Sequence, residues 1–261
     1  ADLHPDYPST TLALEQGRWP VIRLQHHVAH IHAVLAEHRR DEPVLGLALD
    51  GVGLGEDGTL WGGEGLLVDP AGLTHQRLGH FAPMALPGGD AAVRQPWRIA
   101  QACLHALGET TKAGPVRPWM ADHGPASRLV GQMLAKNLNC PVTTSCGRLF
   151  DAVAAVTGLC LETTYEGQAA ILLERAQDMA EDRPYDCPLL ADRTPAVLDT
   201  LTLFAQAATD AAQGVSAGRI ARRFHLGLVV GLARLATAMA RETGIRAVAL
   251  GGGVMQNRTL A

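Results

Sequence analysis

A histidine-rich segment offers the first chemistry in this sequence. Residues 25–32 read QHHVAHIH, inside a stretch whose apolar residues recur at helical spacing. Residues four apart share one face of a helix, so His26 and His30 are predicted to converge on one metal ion. The pattern lacks the glutamate of the HExxH metalloprotease motif, and therefore lacks that motif's general base. The alternative interpretation is a solvated histidine face, or core histidines bonded to backbone carbonyls.

A carboxylate follows the next apolar run. Val44 to Leu49 is predicted to be a buried strand, and Asp50 stands at its end. A catalytic zinc usually has three protein ligands, so we predict that Asp50 joins His26 and His30 as a metal ligand. Two imidazoles and one carboxylate suit zinc or Fe(II), without choosing between them.

Two glycine-rich turns are candidates for phosphate binding. DGVGLGEDG, residues 50–58, follows the predicted strand but fits neither the P-loop nor the Rossmann pattern. LGGGVMQN, residues 250–257, is predicted to join a strand to a helix that begins near Gln256. Backbone amides in such turns, and helix N-termini, favour anions. An ordinary tight turn explains either one alone, whereas two in one chain favour nucleotide binding.

Two acidic residues stand near predicted helix starts. Asp151 lies in GRLFDAVAA, three residues after Arg148, and Glu166 precedes Gly167 in YEGQAA. Either carboxylate could accept a hydrogen bond from a ribose. The alternative is an acidic residue that only complements the helix dipole.

The predicted elements indicate a layered α/β protein. Strands come early, helices fill the middle, and a strand, a glycine turn and a helix end the chain. Residues 1–20 are predicted to be irregular, and the proline-bearing segment 182–196 is predicted to be a loop. Helices are predicted at 25–40, 91–107, 126–138, 150–159, 167–180, 198–212 and 216–243.

Composition excludes several classes of protein. The chain has 261 residues, of which 47% are hydrophobic and 18% charged, so it is not disordered. The net charge of −4 gives no basic footprint, so we expect no nucleic-acid partner. No apolar run or leader pattern indicates a membrane span or signal peptide, so we expect no membrane association. Five cysteines without a CxxC pair indicate a reducing, cytoplasmic location.

Taken together, the motifs resemble one family from Asp2 to Leu260. QHHVAHIHA, LALDGVGLGEDGTLWGGE, GRLFDAVAA, YEGQAAILLE and LGGGVMQNRTL occur in the order found in the HypF hydrogenase-maturation carbamoyltransferases, and DLHPDYPST matches too. The resemblance implies the actin-like/Hsp70-like ATPase superfamily, with two ribonuclease-H-like subdomains around a nucleotide cleft. We expect one carbamoyl-transfer domain over residues 1–261, with subdomains near 1–90 and 91–261.

The resemblance also implies substrates and a partner. In the family, a YrdC-like domain makes carbamoyl-adenylate from carbamoyl phosphate and ATP. The transfer domain then passes the carbamoyl group to the C-terminal cysteine of HypE, as precursor of the cyanide ligands of nickel–iron hydrogenase. None of this chain's cysteines lies in a nucleophile motif, which agrees with a nucleophile supplied by the partner. The alternatives are an O-carbamoyltransferase acting on a small-molecule hydroxyl and an inactive docking module.

The family's site residues map onto this sequence one by one. The metal-binding and catalytic set falls on His26, His30 and Asp50, for zinc or iron. The implied nucleotide-binding set is Gly51, Gly53, Asp151, Glu166, Gly167, Gly252, Gly253 and Asn257. A further metal-binding aspartate of the family and the YrdC-like domain have no counterpart here. We therefore expect a piece of a longer protein, incomplete at both ends.

Overall fold

The central sheet is built around two long strands. In the computed structural model, which describes residues 1–108 and 117–261, β1 (Val44–Leu54) pairs antiparallel with β2 (Leu60–Asp69). β2 pairs antiparallel with β3 (Thr74–Phe81) on its other side. β8 (Val248–Gly251) arrives from the far end of the chain and lies parallel to β1. The two glycine turns therefore leave neighbouring strands at the same edge of the sheet.

Four short strands extend this sheet to eight strands within the described residues. They are β4 (Met84–Ala85), β5 (Val142–Thr143), β6 (Leu189–Leu190) and β7 (Ala196–Leu198). The order β4-β5-β2-β3-β7-β6 runs across the sheet, and β1 and β8 lie off this path. Because β4 and β5 pair with each other, the sheet includes strands from both sides of residue 90. The subdomain boundary near that residue stays a prediction.

Helices cover both faces of the sheet. Alternate residues of β1 enter different cores: Leu45, Leu47 and Leu49 join the larger one, while Val44 and Ala48 join the smaller. A strand buried on both faces needs an uninterrupted apolar run, as this one has. The described helices are α1 (Pro8–Gln16), α2 (His26–Glu37), α3 (Asp90–Arg94), α4 (Pro96–Ala106), α5 (Met120–Ala135), α6 (Cys146–Val156), α7 (Gln168–Ala176), α8 (Thr200–Ala212) and α9 (Ala217–Thr243).

α9 is the longest described helix. Among the described residues it alone has the length and apolar composition that could cross a membrane. Its Phe224, Leu228 and Leu235 are buried in the larger core, and a core helix meets the same criterion. The predicted helix over 216–243 is confirmed to within one residue.

The helix expected over 91–107 is divided at Gln95 into α3 and α4, and the loop expected over 182–196 contains β6 and the start of β7. Three more sequence predictions differ from the structure. Residues 1–20 were expected to be irregular, but Pro8 starts α1 and Gly17, with φ of 60°, ends it. The turn expected over 50–58 is shorter, because β1 continues to Leu54 past an irregularity after Leu49. The helix expected from Gln256 is absent: one 3₁₀ turn spans Gly253–Gln256, and Asn257 is extended.

Gly227 marks a close contact that tests the packing of α9. A Cβ there would lie 2.5 Å from the Tyr185 carbonyl oxygen and 2.6 Å from Leu203 Cδ1. We expect Gly227→Ala to lower the free energy of unfolding by about 1–3 kcal/mol, because the backbone of Tyr185 must move. Gly124→Ala is the matched control, since no atom lies within 4 Å of its added Cβ. Urea unfolding of both variants measures the difference, and equal stabilities would contradict the packing described.

Candidate metal and nucleotide site

Gln25 fixes the start of the histidine helix. Its side-chain oxygen accepts hydrogen bonds from the amides of His27 and Val28, at 2.7 and 3.1 Å, which caps α2. Its side-chain amide donates to the Leu54 carbonyl at 3.1 Å. The cap therefore places His26 as the first helical residue and joins α2 to the end of β1.

The three predicted metal ligands meet at the edge of the sheet. His30 Nε2 lies 2.8 Å from Asp50 Oδ2, and His26 Nε2 lies 3.4 Å from the same oxygen. One ligand atom from each residue fits within 4.8 Å of the other two, which suits a single ion. All three side chains are partly exposed, so an ion can reach them from solvent. The residues present thus fit a zinc or iron ion.

Asp2 supports this cluster from the start of the chain. Its Oδ2 lies 2.7 Å from His26 Nδ1, which leaves Nε2 of the same ring directed at Asp50. A carboxylate behind a ligating histidine fixes the ring and raises its basicity. Sequence reasoning missed this role because 24 residues separate the pair. Its one sequence signal was the resemblance of DLHPDYPST to the family.

The electrostatics of the cluster favour a cation. Burial acts to raise the pKa of Asp50, but hydrogen bonds from His26 and His30 outweigh it and hold that pKa far below its usual range. The hydrogen bond to Asp50 raises the pKa of His26, against the opposing effect of burial. Asp50 is therefore an ionised carboxylate, and a metal ion would replace histidine protons when it binds.

His27 belongs to the core. It is fully buried against Trp61, and burial lowers its pKa to about 4. The Gln25 amide can only donate, so His27 Nδ1 accepts its hydrogen bond of 2.9 Å and Nε2 carries the proton. Among the described residues, that Nε2 has no partner. His27 is thus a neutral packing residue next to the metal ligands.

Ser145 links the backbone of Asp50 and Gly51 to the start of α6. Its hydroxyl caps α6 by accepting from the Arg148 amide at 3.1 Å, and lies 2.5 Å from the Gly51 carbonyl and 3.1 Å from that of Asp50. The neighbouring Thr144 hydroxyl donates to the fully buried carboxylate of Glu64 at 2.5 Å. Sequence reasoning missed Ser145, since a serine before a helix predicts a cap and nothing beyond it.

Two cavities meet beside Asp50. The larger has a volume of about 620 Å³ and the smaller about 500 Å³. Five residues line both cavities and so form their shared wall: Gly51, Arg148, Asp151, Glu166 and Gly167. Both volumes lie within the range of small-molecule sites. The two cavities are therefore adjacent parts of one cleft, and Asp50 of the candidate metal cluster lines the smaller one.

The predicted nucleotide residues divide between cavity wall and packing. Gly253 and Asn257 line the smaller cavity. Gly53 and Gly252 line neither: a Cβ on Gly53 would lie 2.7 Å from His26 Cβ, and one on Gly252 would collide with the Leu49 carbonyl. These two glycines permit close packing around the candidate metal ligands, while Gly51, Asp151, Glu166 and Gly167 lie in the shared wall.

A buried histidine holds Asn257 in place. His225 Nδ1 donates to the Ala221 carbonyl at 2.7 Å, so its Nε2 is free to accept from the Asn257 amide at 3.0 Å. Burial lowers the pKa of His225 to about 4, so the ring stays neutral and keeps its acceptor. The Asn257 side chain is thereby anchored to the core, with its oxygen accepting from the Thr259 amide at 3.0 Å, and the residue lines the smaller cavity.

Comparison with known proteins agrees with the family resemblance of the sequence motifs. The family model for the Kae1-like carbamoyltransferase domain, second subdomain, matches residues 46–261, and the HypF Kae1-like domain model matches 1–37. The chain belongs to the HypF family. Carbamoyltransferase HypF2 of Cupriavidus necator is 43% identical over 291 residues, covering all of this chain and 35% of that protein. A HypF homolog of the same organism is 44% identical, covering all of this chain and 67% of its own length.

A solved structure confirms the predicted fold. Full-length HypF, crystallised in a phosphate- and nucleotide-bound form, superposes with a TM-score of 0.90 at 34% identity. The match covers 99% of this chain and 40% of the HypF chain. The HypF domain described here therefore has the Kae1-like fold of the actin-like ATPase type, and it spans part of the length of its relatives.

Metal analysis tests the centre of this HypF domain. We expect about one zinc or iron per chain by plasma mass spectrometry, lost in His26→Ala/His30→Ala because two of three ligands are removed. His32→Ala is the control, since His32 lies on the same helix outside the cluster. Asp2→Asn should weaken zinc binding about 10–100-fold, because it supports a ligand without being one. Equal metal content in all four proteins would contradict the assignment.

The free energy of unfolding of this HypF domain is expected to depend on pH through Asp151. Burial raises the pKa of Asp151 from 3.8 to about 6, against the opposing charge of Arg148. The folded state holds the Asp151 proton more tightly than the unfolded state does. The stabilisation that this gives is therefore fully present below about pH 4 and is lost as the pH rises through 6. We expect the free energy of unfolding of the wild type to fall relative to Asp151→Asn between pH 4.5 and 7.5. Urea titrations at both pH values measure this, and a difference independent of pH would refute it.

Proposed function

We propose that this domain transfers a carbamoyl group from carbamoyl-adenylate to the C-terminal cysteine thiol of HypE, during maturation of nickel–iron hydrogenase. The observation that carries the proposal is the position of Gly51, which follows the metal ligand Asp50 and lines both cavities. The names of the relatives, which are carbamoyltransferases, support the transfer class. The nucleotide-bound HypF structure supports an adenylate substrate.

The metal centre supplies the electrophilic chemistry. A zinc or iron ion held by His26, His30 and Asp50 would act as a Lewis acid toward the carbamoyl carbonyl or the adenylate phosphate. Asp2 orients the His26 ring, and the Ser145 hydroxyl bonds to the carbonyl oxygens of Asp50 and Gly51. These residues keep the ligands in place before the substrate arrives, which lowers the reorganisation needed during reaction.

The smaller cavity is where we place the nucleotide. Gly167 has a φ of 75° and precedes α7 without a side-chain cap. The Gln168 amide donates to the Tyr165 carbonyl at 3.4 Å, so the next two amides, those of Ala169 and Ala170, are the ones that remain for a ligand. Gly253, Ala170, Ile171 and Asn257 line the same cavity. Glu166 is exposed at the shared wall, where its carboxylate can accept from ribose hydroxyls.

The nucleophile in this proposal comes from the partner. All five cysteines of the chain are buried, and burial raises the thiol pKa of Cys103 to about 12. A thiolate is the reactive form, so such cysteines are unreactive. The HypE cysteine reacts as its thiolate, having lost its proton to solvent. In the transfer step the sulfur bonds to the carbamoyl carbon, the bond from that carbon to the phosphate oxygen breaks, and AMP leaves with the electron pair. A cytoplasmic location would keep the acceptor thiol reduced.

A labelled-carbamoyl assay tests this function. The chain would be combined with a YrdC-like domain, ATP, [¹⁴C]carbamoyl phosphate and HypE. We expect His30→Ala to reduce labelled HypE by at least about 100-fold, since a ligand of the centre is lost, and His32→Ala to leave it unchanged.

Two outcomes would redirect the proposal. Undiminished labelling of HypE by His30→Ala would refute the role of the metal centre. Label found on added small alcohols, with none on the HypE cysteine, would favour an O-carbamoyltransferase.

A further inference from the structure

Arg148 and Asp151 form a buried charged pair in the shared wall of the two cavities. Arg148 is 9% exposed and Asp151 is 4% exposed, and both line each cavity. Arg148 Nε lies 2.8 Å from Asp151 Oδ2, but without the alignment of a hydrogen bond. No described side chain or backbone carbonyl accepts from the rest of the guanidinium. Nε and Oδ2 are buried against each other, so the rest of the guanidinium and the other carboxylate oxygen are the atoms that a ligand in the cleft can reach.

The charges of this pair indicate what kind of ligand it takes. A guanidinium alone would suit a phosphate, but the adjacent carboxylate of Asp151 repels an anion and cancels the positive charge. The pair instead presents N–H donors beside an oxygen acceptor. A neutral, planar group with a carbonyl next to an amine matches both halves. The carbamoyl group is such a group, whereas an acetyl group lacks the N–H donors.

The location of the pair matches the point of transfer. A Cβ added to Gly147 would lie 3.0 Å from the Cα of Gly51, so the start of α6 lies directly against the residue that follows Asp50. A transferring group must lie between the leaving nucleotide and the incoming thiol. With the nucleotide in the smaller cavity, that place is the wall shared by both cavities, and the larger cavity remains for the acceptor.

We propose that Arg148 and Asp151 are the subsite that recognises the carbamoyl group. This inference rests on the proposed function and narrows the general nucleotide role predicted for Asp151. Arg148 donates to the carbamoyl oxygen and Asp151 accepts from the carbamoyl N–H. When the sulfur–carbon bond forms, negative charge grows on that oxygen, where the guanidinium stabilises it. As the carbon–oxygen bond to phosphate breaks, the electron pair leaves with AMP.

Binding of unreactive mimics tests the subsite. The probes are AMP and two adenosine 5′-sulfamates, one N-carbamoylated and one N-acetylated, measured by calorimetry with the whole chain. We expect the wild type to bind the carbamoyl probe at least about tenfold more tightly than the acetyl probe, because a methyl group leaves the Asp151 carboxylate unpaired.

A double variant removes the pair while keeping the fold. Removing one member of a buried ion pair is strongly destabilising, whereas replacing both by apolar side chains is often neutral. Arg148→Met/Asp151→Leu should melt near the wild type, bind AMP within about threefold of it, and bind the carbamoyl probe no better than the acetyl probe. The single variant Arg148→Lys, which keeps a cation beside Asp151, should bind the carbamoyl probe more tightly than the double variant and more weakly than the wild type.

Three results would overturn the assignment. Equal affinity of the wild type for both sulfamates would show that the N–H groups are not recognised. An equal loss of AMP and carbamoyl-probe binding in the double variant would place the pair on the nucleotide itself. If the wild type binds none of the three probes, the proposed function fails and the subsite with it.

Discussion

Close backbone contact around Asp50 and Gly51 is the constraint on which the site depends. Gly62 of β2 lies on one side, where a Cβ would be 2.8 Å from the Asp50 carbonyl oxygen, and Gly147 of α6 lies on the other. The Ser145 hydroxyl joins the same carbonyls to the helix start. At Gly62 and Gly147 these elements meet at backbone distance, so the candidate metal ligand Asp50, the cleft wall and the cap of α6 are coupled in position.

Sheet topology explains why distant parts of the sequence contribute to one site. β8 lies parallel to β1, so Gly251–Gly253 leaves the sheet beside Asp50 although about 200 residues separate them. Ligands bind at such edges because strand ends deliver loops there without disturbing the core. α2 covers one face of the same strands and brings the two histidines to that edge. The site therefore needs both ends of the chain, with the middle supplying the far wall of the cleft.

The local parts of this site were predictable from sequence, and the long-range parts were not. The spacing of His26 and His30 and the position of Asp50 after an apolar strand follow from helix and strand periodicity. Asp2, Ser145 and His225 act through partners 24 to 95 residues away, which no local pattern reveals. The last predicted helix was wrong because Asn257 takes an extended conformation and directs its side chain to His225.

The first residues of the chain form a closed loop beside the candidate metal ligands. Asp2 pairs with Leu24 in an isolated bridge, while its carboxylate contacts the ring of His26. Closing a loop of this length costs entropy, and the contact with His26 helps to offset it. Ordering of this segment and capture of a cation are thereby linked equilibria. A cation that fixes the His26 ring would also favour the closed loop. Opening of the loop would lower the affinity for the cation by the same free energy.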